Sequence, residues 1–141
     1  MTITILAVGK LRGPDAELCA EYQKRMRGVV VKELPTSTQK KENETLMKAL
    51  PAKAFTVLCD ERGRDLSSVE LAGKLAAWQE WPQLVFVIGG ADGLNDALRA
   101  RADFILSFGR KTWPHRLSRV MLLEQLYRAQ QINAGHPYHR E

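Results

Sequence analysis

The chain has 141 residues, 45% apolar and 26% charged, with a net charge of +5 and two cysteines. That length suits one domain spanning residues 1–141, able to bury roughly two thirds of its unfolded surface, so it needs no disulfide or metal staple. No apolar run approaches the ~20 residues of a membrane span, and the opening ITILAV lacks the basic flank and cleavage site of a secretory leader, so no membrane partner and a cytoplasmic location are expected.

TITILAVG (2–9) is rich in β-branched residues and stops at Gly9, which predicts a buried strand. Pro14 and Asp15 open a helix through about Arg27, with Leu18, Tyr22 and Met26 on one face. VVVKEL (29–34) is a second strand, ended by Pro35. TSTQKKENE (36–44) is a polar loop or helix entry, and helical spacing then runs to Leu50 before Pro51. AFTVLCD (54–60) is a third strand, and ERGRD (61–65) is expected to turn the chain at Gly63. Ser67 or Ser68 caps a helix carrying Val69, Leu71, Leu75 and Trp78. LVFVIGG (84–90) is the most apolar strand, LNDALRA (94–100) a short helix and DFILSFG (103–109) a fifth strand. Pro114 begins a long helix through about Asn133, with Gly135 as its punctuation. Strands alternating with helices specify an α/β layered domain with a largely parallel sheet, whose ligands gather at the carboxyl ends of the strands.

Charge is distributed unevenly. Residues 1–98 hold 13 basic and 13 acidic side chains, while residues 99–141 hold eight basic and three acidic ones, so the whole surplus sits in the last third. A basic lobe fits an anionic partner such as RNA; a simple solubility charge accounts for it as well. Cys19 and Cys59 lie in apolar segments and form no CxxC pair, the pattern of buried free thiols. Trp78 and Trp81 are expected to fill the core near a helix end. The three histidines, His115, His136 and His139, have no metal-ligand spacing, so no metal is expected.

Two strand-end stretches can carry chemistry. FVIGGADG (86–93) lets a ligand lie against the main chain, although a tight strand-to-helix turn alone would also use these glycines. LSFGRKTWPH (106–115) joins Gly109 and two cations to Thr112, which can cap the following helix; an ordinary basic loop reads the same way. GKLRG (9–13) is a poor match to a dinucleotide fingerprint, which weakens a nucleotide-binding alternative with Gly9 and Gly13 on phosphate and Glu33 on ribose. A non-catalytic RNA-binding protein is the other alternative. The final helix is apolar over much of its circumference, with Leu117, Val120, Met121, Leu122, Leu123, Leu126, Tyr127 and Ile132, as if packed on two bodies. Arg116 and Arg119 share a face, and Glu124 with Arg128 forms an i,i+4 pair.

ITILAVGKL, VIGGADGL, LSFGRKTWPHRLSRVMLLEQLYRA and the terminal PYHRE together resemble the RlmH family of SPOUT-class RNA methyltransferases across the whole chain. The resemblance implies an α/β-knot fold with a C-terminal trefoil knot, a homodimer built on the last helix, and S-adenosylmethionine as methyl donor without a metal. Its implied acceptor is N3 of a pseudouridine in 23S ribosomal RNA, on the assembled ribosome. The implied cofactor pocket takes Leu58 and Cys59, Gly89 and Gly90, and the run Phe108, Gly109, Arg110, Lys111, Thr112 and Trp113. The candidate catalytic residues are His139, Tyr138, Arg140 and Arg119, with the tail ordering over a pocket or across the partner. The chain is shorter than many members around residues 36–45, a region expected to lie away from the pocket.

Overall fold

The computed structural model describes residues 2–140. Five strands and five helices alternate along it: β1 (Thr2–Val8), α1 (Gly13–Lys24), β2 (Val29–Leu34), α2 (Gln39–Ala49), β3 (Ala54–Asp65), α3 (Ser68–Trp78), β4 (Gln83–Ile88), α4 (Asp96–Arg101), β5 (Phe104–Ser107) and α5 (His115–Asn133). The strands form one sheet in the order β2-β1-β4-β3-β5, and every pairing is parallel.

The pleat explains why the central strands β1 and β4 are apolar over most of their length. Ile3, Ile5 and Ala7 of β1, with Leu84, Phe86 and Ile88 of β4, face a core completed by Leu71 and Leu75 of α3 and Leu122, Leu123 and Leu126 of α5. The intervening Leu6, Val8, Val85 and Val87 face a second core with Leu46 of α2 and Leu98 of α4. A parallel sheet covered on both faces needs apolar side chains at every position, which is what β4 supplies.

Local signals set the helix ends. Ser67 accepts from the Glu70 amide while the Glu70 carboxylate accepts from the Ser67 amide, a reciprocal capping box at α3. Thr38 caps α2 by accepting from Lys41, so the polar run from 36 to 44 is a helix entry. Gly135 follows α5 in the left-handed region, at φ +72°.

Three expectations need correction. ERGRD is not a turn: β3 continues to Asp65, shifting register between Cys59 and Arg64 to stay paired with β5. Gly63 serves that crossing, because a Cβ there would stand 2.4 Å from the Ile105 carbonyl oxygen. Trp81 does not fill the core; it is 42% exposed and tilts against Phe55, while Trp78 is buried and stacks on Phe55 at 4.9 Å. Thr112 does not cap α5, whose N-terminus has no side-chain cap, because its hydroxyl donates instead to the Glu61 carboxylate.

Candidate active site

The carboxyl ends of β3, β4 and β5 open into a cavity of about 870 Å³. Its walls are the register-shifted stretch Cys59–Arg62 within β3 and the two loops that leave β4 and β5, Gly89–Asn95 and Phe108–His115. A parallel sheet delivers its chain ends to one edge, so three segments distant in sequence converge there.

Each wall is held by its own bonds. The β5 loop closes on itself: Trp113 Nε1 donates to the Phe108 carbonyl at 3.1 Å, and Ser107 Oγ to the Gly109 carbonyl at 2.5 Å. Thr112 ties this loop to Glu61 on the β3 wall. Asp60 accepts from Arg99 Nε at 2.9 Å, and Arg99 also donates to the Leu94 carbonyl at 2.7 Å and to Asp96 at 2.7 Å. The Arg99 guanidinium therefore joins the β3 wall to the β4 wall. Gly89 and Gly90 are required by packing: a Cβ at Gly89 would press Leu94 at 2.9 Å, and one at Gly90 would press Glu42 Oε1 at 2.6 Å. The turn explanation of these glycines is thus sufficient, and the same turn forms a cavity wall.

Among the cofactor-site residues inferred from sequence, Cys59, Gly89, Gly90, Phe108, Gly109, Lys111, Thr112 and Trp113 line the cavity. Leu58 and Arg110 do not. Leu58 alternates to the opposite face of the sheet and is fully buried in the second core, while Arg110 is exposed on the outside of its loop. Burial, reinforced by the neighbouring Asp60, pushes the Cys59 thiol up to about 12, so it is a neutral wall group and not a thiolate. The cavity also takes Asp92 and His115, from the two stretches singled out in the sequence, and Gln39, Asn95, Asp96 and Arg99, which the motifs did not indicate. Gln39 overturns the expectation that residues 36–45 lie away from the pocket: its Nε2 donates 2.9 Å to the Asp92 carbonyl.

The candidate catalytic residues do not line this cavity. Arg119 is buried in α5, with Nη1 2.5 Å from Glu33 Oε2 and Nη2 donating 2.9 Å to the Gly9 carbonyl. Tyr138 donates 3.2 Å to Glu124 and meets Tyr127 edge-on at 4.7 Å. His139 Nδ1 lies 3.1 Å from Arg128 Nη1, and the Arg128 guanidinium covers the Tyr138 ring at 4.9 Å. Arg140 is exposed. The tail is thus ordered, not frayed, and it is laid along α5 by Glu124 and Arg128. The cavity takes His115 and Ser118 from α5, while the tail is bonded to Glu124 and Arg128, six or more residues further along the helix, at least about 9 Å, so Tyr138 and His139 do not reach their own chain's cavity.

The basic surplus is partly consumed by ion pairs. Arg99, Arg116, Arg119 and Arg128 pair with Asp60 and Asp96, Asp15, Glu33 and Glu124 respectively. Arg62 and Lys111 stand at the cavity. Among the described residues, no helix is long and apolar enough to cross a membrane, and no cluster of His, Cys, Asp or Glu could hold a metal ion.

A family model described as "Predicted SPOUT methyltransferase" matches residues 1–139. Proteins named Ribosomal RNA large subunit methyltransferase H are similar to the chain along its whole length. The one from Rhodopseudomonas palustris (strain BisA53) is 46% identical over 159 residues, covering 99% of each chain. Those of Ruegeria pomeroyi and Paracoccus denitrificans are 46% and 45% identical over 155 residues, covering 99% and 100% of each chain. A solved structure of a probable methylase family protein from Haemophilus influenzae Rd KW20 shares the fold at a TM-score of 0.63 and 14% identity, covering 99% of this chain and 70% of that one.

Proposed function

The chain belongs to the SPOUT methyltransferase family and is a methyltransferase, and from that premise we propose that it moves the methyl group of S-adenosylmethionine to N3 of a pseudouridine in 23S ribosomal RNA. In this reading it acts on the assembled ribosome, in the cytoplasm, as a homodimer, and its C-terminal segment carries the family's trefoil knot. The single observation that carries the reading is the cavity where the β4 and β5 exit loops meet the irregular stretch of β3.

The cavity's own residues fit the cofactor. Its volume lies in the range of small-molecule sites. Ile88, Leu94, Phe108 and Trp113 offer apolar surface for a nucleoside base, and Asp92 and Asp96 offer carboxylates for a cationic donor. Among the described residues, the amides of Gly90, Ala91, Lys111 and Thr112 donate to no protein acceptor, which leaves them for a ligand. When bound, S-adenosylmethionine supplies an electrophilic methyl on a sulfonium.

The protein's part is to orient the acceptor nitrogen and to help remove its proton. Arg62 and Lys111 stand where a phosphate backbone would reach the cavity mouth, so binding should weaken with salt. The distance between the tail and its own cavity supports a dimer in which each tail serves the other chain's pocket. His139, Tyr138 and Arg140 would then meet the flipped base, while Arg119 fixes α5 to the Gly9 turn.

A thermal shift with S-adenosylhomocysteine, NAD and ATP in parallel tests the cofactor. Stabilisation by S-adenosylhomocysteine alone is expected; stabilisation by NAD alone would overturn the reading.

A further inference from the structure

The β4–α4 loop is held from below by one face of α2. Gln39, Glu42, Asn43 and Leu46 follow the i, i+3, i+4, i+7 spacing that aligns side chains on a helix. Gln39 reaches the Asp92 carbonyl. The buried Glu42 packs its carboxylate on Gly90 and accepts 2.8 Å from the Ser37 amide. Leu46 anchors the helix in the core with Leu94 and Leu98.

Asn43 is the centre of this arrangement. It is 2% exposed, and its amide satisfies backbone groups on both sides of the turn. Its Nδ2 donates to the Gln39 carbonyl at 2.7 Å and to the Gly93 carbonyl at 3.2 Å, while its Oδ1 accepts from the Asn95 amide at 2.9 Å. Asn95 in turn caps α4 through Leu98 at 3.0 Å, and α4 carries Arg99 to Asp60 on the opposite wall. One buried carboxamide thus fixes the turn, the cap and the helix that carries the bridge between walls. A carboxamide of this length donates twice and accepts once in a single plane, which a serine or threonine hydroxyl does not.

We propose that Asn43 is a positioning residue that sets cofactor affinity by holding the β4–α4 loop in its binding shape. The inference rests on the cofactor reading above and adds a residue outside the cavity lining to it. Alanine at position 43 leaves the Gly93 carbonyl and the Asn95 amide without their partner. The loop then samples other shapes, and binding first has to restore this one.

The test compares Asn43→Ala and Asn43→Asp with Leu46→Val, which loosens the same helix without touching the polar bonds. Calorimetric titration with S-adenosylhomocysteine and steady-state methyl transfer are run on folded protein, with melting temperature measured in parallel. Both Asn43 variants should weaken binding by about ten-fold or more, with kcat at saturating donor close to that of the parent. Asn43→Asp keeps the acceptor for Asn95 but turns a buried carboxylate oxygen toward the Gln39 and Gly93 carbonyls, so it should lose at least as much as Asn43→Ala. Leu46→Val should lower the melting temperature with affinity retained. If affinity follows melting temperature in all three variants, Asn43 is merely structural and the proposal fails. If Asn43→Ala does not fold, Asn43→Ser gives the same comparison, because its short hydroxyl does not span both the Gly93 carbonyl and the Asn95 amide, and unchanged affinity overturns the proposal. If the parent itself binds no S-adenosylhomocysteine, the cofactor reading has failed instead.

Discussion

Arg119 on α5 and Glu33 at the end of β2 form an ion pair at 2.5 Å, and Glu33 also accepts from the Leu11 amide at 2.9 Å. The pair pins the last helix to the turn after β1, because the same guanidinium donates to the Gly9 carbonyl. Burial pushes the Glu33 carboxyl up, but the bonds from Arg119 and Leu11 outweigh it and hold it below its ordinary 4.5. A depressed carboxyl stabilises the fold above its unfolded value and loses that contribution as pH falls through its folded value. Glu33→Gln keeps an acceptor but removes the countercharge of the buried Arg119, and should therefore cost about 1 kcal/mol or more near neutral pH. That deficit should shrink as the pH drops below 4.5. Urea denaturation of both proteins from pH 7 to pH 3 measures it; a deficit independent of pH would remove the ion pair from the account.

Tyr138 is a donor in this arrangement. Its phenol is pushed up to about 12, first by burial and then by the adjacent Glu124 carboxylate. Its neutral form is thus favoured by folding at all pH values below its unfolded value of 10, and the advantage is lost between 10 and about 12. Tyr138→Phe should leave the pH–rate profile below pH 9 unchanged in shape, and should cost about 0.5–1.5 kcal/mol of stability for the lost hydrogen bond. Loss of the limb in which the rate rises with pH would instead make Tyr138 the proton acceptor.

The glycine walls predict two different failures. Gly63→Ala would drive a methyl into the Ile105 backbone, which cannot rotate away, and should cost at least about 2–3 kcal/mol of stability. Gly90→Ala meets Glu42 Oε1 and Val8 Cγ1, at 2.6 and 3.1 Å, and must push the cavity wall outward. It should lose affinity for S-adenosylhomocysteine by about ten-fold or more while remaining folded. Melting temperature and calorimetric titration separate the two.

Most of the site was legible because a parallel α/β pattern puts strand ends on one edge, and the sequence marks those ends with glycine. Gly89, Gly90, Phe108, Gly109, Lys111, Thr112 and Trp113 of the cavity lining were found that way. Leu58 was misplaced because a two-residue period decides its face, and the motif spacing carried no information on the face. Arg99, Gln39 and Asn43 were missed because their partners lie 39 to 53 residues away, and no local pattern records such pairings. The long β3 was missed because Gly63 reads as a turn residue, whereas its function is to let β5 cross closely.

The outer side of α5 explains the helix's excess of apolar residues. Leu117 and Met121 are half-buried and belong to neither core, and the same stripe continues through Glu124 and Arg128, which hold the tail. If the proposed homodimer is built on this stripe, Met121→Glu should make the protein monomeric at micromolar concentration with little loss of helix content. Sedimentation equilibrium and circular dichroism decide this; an unchanged dimer would move the subunit contact elsewhere.

Transfer of labelled methyl from S-adenosylmethionine to assembled ribosomes lacking the modification tests the central claim directly. The full chain is run beside a version stopped at Gly135, after both are shown to be folded. Label in the large-subunit RNA with the full chain, and a large loss of transfer with the shortened one, is the expected result. No label with the full chain, on protein that binds S-adenosylhomocysteine, would contradict the assignment of ribosomal RNA as substrate.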